Sequence, residues 1–94
     1  MTTLHIEHAI TGFDEWKPVF DRFAQLRQES GVLRHRIQRA VDDPKYVVID
    51  LDFEEAGQAA KFLDFLETKV WSSRMSSPAL VGTPHTKILE TVPE

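Results

Sequence analysis

The stretch TLHIEHAI, residues 3–10, running into FDEWKPVFDRFAQLRQES, residues 13–30, decides the fold. In the first, Leu4 and Ile6 alternate with His5 and Glu7, the two-residue period of a strand with one face on a core. In the second, Phe13, Trp16, Phe20, Phe23 and Arg27 recur at spacings of three and four, with Val19 and Leu26 beside that stripe. This spacing predicts an amphipathic helix with Trp16 in the core. The same order then returns. Leu33–Val41 and Tyr46–Phe53 alternate, Glu54–Val70 is amphipathic, and His85–Val92 alternates again. Read as β-α-β-β-α-β, the chain is predicted to be α+β, with one four-stranded antiparallel sheet and both helices on one face.

Local signals agree with that order. Asp14 is the expected N-cap of the first helix, Pro18 falls in its first turn, and Gly31 is expected to end it in a left-handed backbone. Glu54 and Glu55 suit the positive end of the second helix, whose small Ala56, Ala59 and Ala60 allow close approach to the sheet. Asp42-Asp43-Pro44-Lys45 predicts the turn of a hairpin between strands two and three.

At 94 residues the chain suits one domain spanning 1–94. With no cysteine, disulfides, thiolate metal sites and cysteine nucleophiles are excluded. A formal charge of −4 gives no basic footprint for a phosphate backbone, so nucleic-acid binding is not expected. No apolar stretch reaches membrane-spanning length, and a soluble cytoplasmic protein is the expectation. No glycine-rich phosphate loop follows a strand, so no cofactor is expected.

Strand parity sorts side chains into two faces. Leu4, Ile6, Leu33, Ile37, Val41, Val47, Ile49, Leu51, Phe53, Ile88 and Val92 belong beneath the helices. The opposite set holds His5, Glu7, Arg34, Arg36, Gln38, Tyr46, Val48, Asp50, Asp52, His85, Lys87, Leu89 and Thr91. If that polar set faced water it would need no function.

Phe13-Asp14-Glu15-Trp16, Ser30-Gly31-Val32 and the Asp42-Asp43-Pro44 turn resemble small actinobacterial proteins of the dimeric α/β-barrel superfamily, and the likeness covers almost the whole chain. That superfamily includes antibiotic-biosynthesis monooxygenases and polyketide-cyclase-like proteins. The resemblance implies ferredoxin-like subunits packed sheet against sheet in a homodimer. It also implies a small organic ligand, held between sheet and helices or inside the barrel. The matching residues are turn, cap and core positions and carry no catalytic signature.

Other readings are weaker. An RNA-recognition sheet needs aromatic platforms, and only Tyr46 is available on the polar face. Haem-degrading members of the superfamily use an asparagine on the first strand and a histidine near the second helix. Here Glu7 stands on that strand and the helix has no histidine. His5 and His8 lie on opposite strand faces, so no metal site is expected; His5, His85 and Glu7 would be its only nucleus.

The strand order four-one-three-two places Lys87 near His5 or Glu7, and Asp50 between strand one and Arg36. On the catalytic reading, His5 or His85 is a base, Glu7 or Asp50 orients it, and Arg36 or Lys87 stabilises an enolate. The structural reading of the same groups is a set of cross-strand ion pairs that fix register and the dimer. The linker Ser72–Pro84 is long for a compact domain, and its Met75 and Leu80, with Trp71 just before it and Tyr46, are candidates for a ligand pocket or lid; the other reading of the linker is plain packing against the second helix and the dimer. The expected function is cofactor-free monooxygenation or cyclisation of an aromatic or polyketide-like small molecule. The alternative is a non-catalytic ligand-binding or dimerisation module.

Overall fold

The computed structural model describes residues 1–94. Its strands are β1 (Thr2–Ile10), β2 (Arg34–Ala40), β3 (Asp43–Phe53) and β4 (Leu80–Glu90). Strand β1 is central because both its neighbours pair with it antiparallel, in a sheet of order β2-β3-β1-β4. Helices α1 (Phe13–Arg22), α2 (Ala24–Glu29) and α3 (Ala56–Phe65) cover one face, and a π-helical turn at Leu66–Val70 continues α3. This is the ferredoxin-like arrangement. No helix is long and apolar enough to cross a membrane.

The core follows strand parity. Leu4, Ile6 and Ile10 of β1 and Val47, Ile49, Leu51 and Phe53 of β3 are buried beneath the helices, where they meet Trp16, Ala59 and Phe62. Leu33, Val41 and Val92 have the expected parity but lie beyond the strand ends and are exposed. Ile88, on edge strand β4, is only partly covered.

Five local expectations are corrected. The turn expected at Asp42–Lys45 is made by Val41 and Asp42, because Asp43 already pairs with Ala40 and opens β3. The helix expected over Phe13–Ser30 breaks at Phe23, whose φ of −92° and ψ of 11° leave the helical range. There the Phe23 N–H bonds to the Phe20 carbonyl three residues back, and the Arg27 guanidinium donates to the same oxygen at 2.6 Å. Gly12, not Asp14, is the N-cap of α1, and Asp14 contributes its charge from the first turn. Helix α3 starts at Ala56, with the Glu55 N–H donating to Gln58 Oε1. Strand β4 begins at Leu80, so the last five residues of the expected linker belong to it, and Leu80 and Val81 pair with β1.

That pairing is irregular. Glu7 is opposite His85 while Ala9 is opposite Val81, so three residues of β4, Gly82 to Pro84, bulge beside His8. Gly82, at a φ of 74°, supplies the left-handed backbone the bulge requires. Gly31, at 98°, ends α2 as expected; a Cβ there would come within 2.8 Å of the Gln58 amide nitrogen.

Candidate functional site

On the face away from the helices, register brings the polar residues together. His5 stands between Asp50 of β3 and Lys87 of β4, Glu7 is opposite His85, and Asp50 is opposite Arg36. Five side chains form one connected line. Arg36 Nη2 donates to Asp50 Oδ2 at 2.7 Å, and His5 Nδ1 donates to Asp50 Oδ1 at 2.7 Å. His5 Nε2 donates to Glu7 Oε2 at 2.9 Å, and the Tyr46 hydroxyl donates to Glu7 Oε1 at 2.7 Å. Beside this line, Arg34 Nε and the Thr3 hydroxyl both donate to Asp52. His85 and Lys87 flank the line without bonding to it.

A carboxylate only accepts, so an imidazole between two carboxylates satisfies both when each of its nitrogens carries a proton. The bond to Glu7, joined by Asp50, accordingly raises the His5 pKa above its ordinary value. Tyr46, followed by His5, lowers that of Glu7, and the same bond raises that of the Tyr46 phenol. Arg34, with Thr3, lowers that of Asp52. With both protons in place His5 keeps no lone pair with which to take another, and in that state the line holds strand register and presents charge.

The second concentration of chemistry lies beneath the helices. A partly open cavity of about 90 Å³ separates the sheet from α1, α2 and the π-helical turn. Its walls are largely apolar, with Trp16, Phe20, Phe23, Phe62, Phe65 and Trp71 among them. Two ionisable side chains line it, His8 and Arg27, and both are buried. His8 shares strand parity with Leu4 and Ile6, which turns it inward. Its Nδ1 donates to the Ala9 carbonyl at 2.9 Å, and burial lowers its pKa, so the ring is neutral with Nε2 as a free acceptor. No fully enclosed side-chain polar atom lacks a partner, so Nε2, unbonded within the fold, is reachable.

The two histidines should be separable by pH. His5, raised above 6.5, contributes stability that is complete below that value and lost as pH climbs through its folded pKa. His8, lowered from 6.5, costs stability as pH falls below that value, because the unfolded chain binds the proton more readily. Thermal melts between about pH 5 and 8 are expected to show that His5→Gln loses the alkaline-side decline and His8→Phe the acid-side decline. Profiles parallel to wild type would refute both assignments.

The anticipated residues thus separate into two places. His5, Glu7, Arg36, Asp50 and Tyr46 form the sheet-face line, with His85 and Lys87 beside it. Trp71 and Leu80 line the cavity, whereas Met75 is 91% exposed and outside it. His8 and Arg27 were not among the sequence candidates, although both signals were present: a histidine on the apolar parity of β1 and an arginine on the apolar stripe of the first helix.

No family model matches the chain, and no curated protein matches it in sequence. Solved structures do match in fold. SnoaB, a cofactor-independent oxygenase from Streptomyces nogalater, is 17% identical with a TM-score of 0.73, over 99% of this chain and 94% of that one. A candidate antibiotic biosynthesis monooxygenase from Deinococcus radiodurans is 15% identical at TM-score 0.73, over 100% and 95% of the two chains. A dimeric ferredoxin-like protein from an uncultured marine organism is 12% identical at TM-score 0.63, over 99% and 96%. At these identities the likeness establishes the shared fold.

Proposed function

We propose that the chain is a cytoplasmic homodimeric enzyme that acts without a cofactor on an aromatic or polyketide-like small molecule, by oxygenation or ring closure, in the cavity between sheet and helices. The observation that carries this reading is a neutral, buried imidazole with one unbonded nitrogen in an apolar cavity with six aromatic side chains in its walls. Aromatic walls hold a planar ring by area and edge-to-face contact. A neutral imidazole whose pKa has been lowered is a base for a phenol or a carbon acid flanked by carbonyls. The resulting anion is electron-rich enough either to reduce O2 or to attack a carbonyl of its own chain. In the oxygenase case a methylene becomes a carbonyl as O2 supplies one oxygen atom to product and one to water. Its fold is that of SnoaB, which is a cofactor-independent oxygenase.

The sheet-face line is assigned a different duty. His5, Glu7, Asp50, Arg36 and Tyr46 pair among themselves, and the half-exposed Leu89 on the same face adds an apolar contact for a second sheet. The dimeric state of a ferredoxin-like neighbour of the same fold is consistent with this packing.

Aerobic incubation with quinols and anthrone-type compounds, following oxygen uptake and absorbance, tests the activity. Wild type is expected to consume oxygen above background, and the His5→Ala, His85→Ala double variant to keep that rate while it remains folded and dimeric. Background uptake by wild type on every compound would end the oxygenase reading. Loss of turnover in a folded, dimeric double variant would return the chemistry to the sheet face.

A further inference from the structure

Arg27 is 6% exposed, yet none of the ion pairs in the fold includes it. Its guanidinium carries five N–H donors, of which one bonds to the Phe20 carbonyl, and its Cζ lies 3.7 Å from the centre of the Phe20 ring. The charge of Asp21 acts on it without forming an ion pair. Asp21 is committed to Lys17 at 2.7 Å, and His35, edge-to-face with Phe20, has its pKa lowered by burial and by Arg27 itself. The unused donors are not fully enclosed, since every fully enclosed polar side-chain atom has a partner. A buried cation without a counter-ion is costly unless something supplies the charge. The cavity it lines has no acidic residue among its walls.

We infer that the cavity is built for a single-ring aromatic anion, a benzoate-like or phenolate-like compound whose acidic group meets the Arg27 guanidinium while its ring lies among the aromatic walls. This rests on the assignment of the cavity as the site and narrows its substrate class. Charge follows from the unpaired guanidinium, whose flat fork of donors matches a carboxylate. Size follows from volume. An apolar cavity of about 150 Å³ holds benzene, so the roughly 90 Å³ here takes one ring only by using its open side. A fused tricycle would have to displace wall side chains.

Binding of benzoate, of the neutral isostere benzamide and of anthracene-9-carboxylate to the whole chain, followed by chemical-shift titration, tests both parts. Wild type is expected to bind benzoate about tenfold or more tighter than benzamide, the scale of a charge-assisted pair, and anthracene-9-carboxylate more weakly than benzoate. Arg27→Met keeps the stem and removes the fork, so the benzoate to benzamide ratio should fall towards one while benzamide affinity holds. If Arg27→Met fails to fold, the wild-type ratio still decides, and Arg27→Lys should keep only part of it. Equal affinity of wild type for benzoate and benzamide overturns the charge assignment and leaves the cavity reading standing. Tighter binding of the tricycle overturns the size assignment. Shifts from none of the three at the cavity residues overturn the cavity reading as well.

Discussion

His8→Phe is expected to turn over a quinol about 10²- to 10⁴-fold more slowly than wild type, the range lost with a positioned general base. The other histidines cannot substitute. His5 spends both nitrogens on carboxylates, His85 sits on the opposite sheet face, and His35 packs against the edge of Phe20. The replacement ring keeps the edge contact that His8 makes with Trp16 at 6.4 Å between centroids. It gives up the bond to the Ala9 carbonyl, worth about 1 kcal/mol, so the variant should fold. The loss belongs in kcat rather than in affinity for benzoate, because a base acts on the transition state while walls and guanidinium hold the ground state. A variant that keeps turnover within threefold would remove His8 from the chemistry. One that loses benzoate affinity in proportion would make it a binding group instead.

Phe53→Ala should be the most damaging single truncation for stability. Phe53 is fully buried at the β3 end that leads into α3, with its ring 6.0 Å from that of Phe62 across the sheet–helix boundary. Cutting such a side chain to a methyl costs about 3–5 kcal/mol, transfer and cavity together. Domains of this size hold about 5–15 kcal/mol in all, so about a fifth or more of the total would go. At roughly 4–8 °C per kcal/mol, thermal or urea melts should show the shift directly. Phe53→Leu, which conserves more volume, should recover most of it. A fall under 1 kcal/mol for the alanine variant would mean that the two layers meet less closely than these distances describe.

Sheet architecture was legible because period two is a strict rule. Leu4 and Ile6 against His5 and Glu7 fixed the faces of β1, and the expected hairpin, whose turn falls at Val41 and Asp42, fixed the order that puts Asp50 between His5 and Arg36. What escaped were features made by long-range contact. Nothing in the Phe13–Ser30 spacing announces a break at Phe23, since the carbonyl of Phe20 is claimed by an arginine seven residues on. The early start of β4 depends on a bulge whose partner lies some seventy residues back in the chain, at His8. Charge type alone also drew attention to one place. The exposed face of the sheet reads as a reactive centre, and there His5, Glu7, Asp50 and Arg36 pair with one another while His85 and Lys87 stand beside them. The two ionisable groups that line the cavity are the histidine and arginine placed on apolar stripes, where a pattern search registers them as interruptions.

The π-helical turn carries a consequence for how this cavity tolerates change in length. Five residues from Leu66 to Val70 are wound with the Trp71 N–H reaching back to the Leu66 carbonyl at 2.7 Å, one position further than an α-helix allows. Such a turn is what an α-helix becomes when it absorbs one extra residue. Deleting a residue there would let the segment relax to ordinary pitch, because four residues at about 100° each sweep nearly the same angle as five wound more loosely, so everything beyond it would keep its facing. The indole of Trp71 would stay on the wall it now forms. The spare residue is slack in the rim, and the shorter chain would be an equally tight vessel.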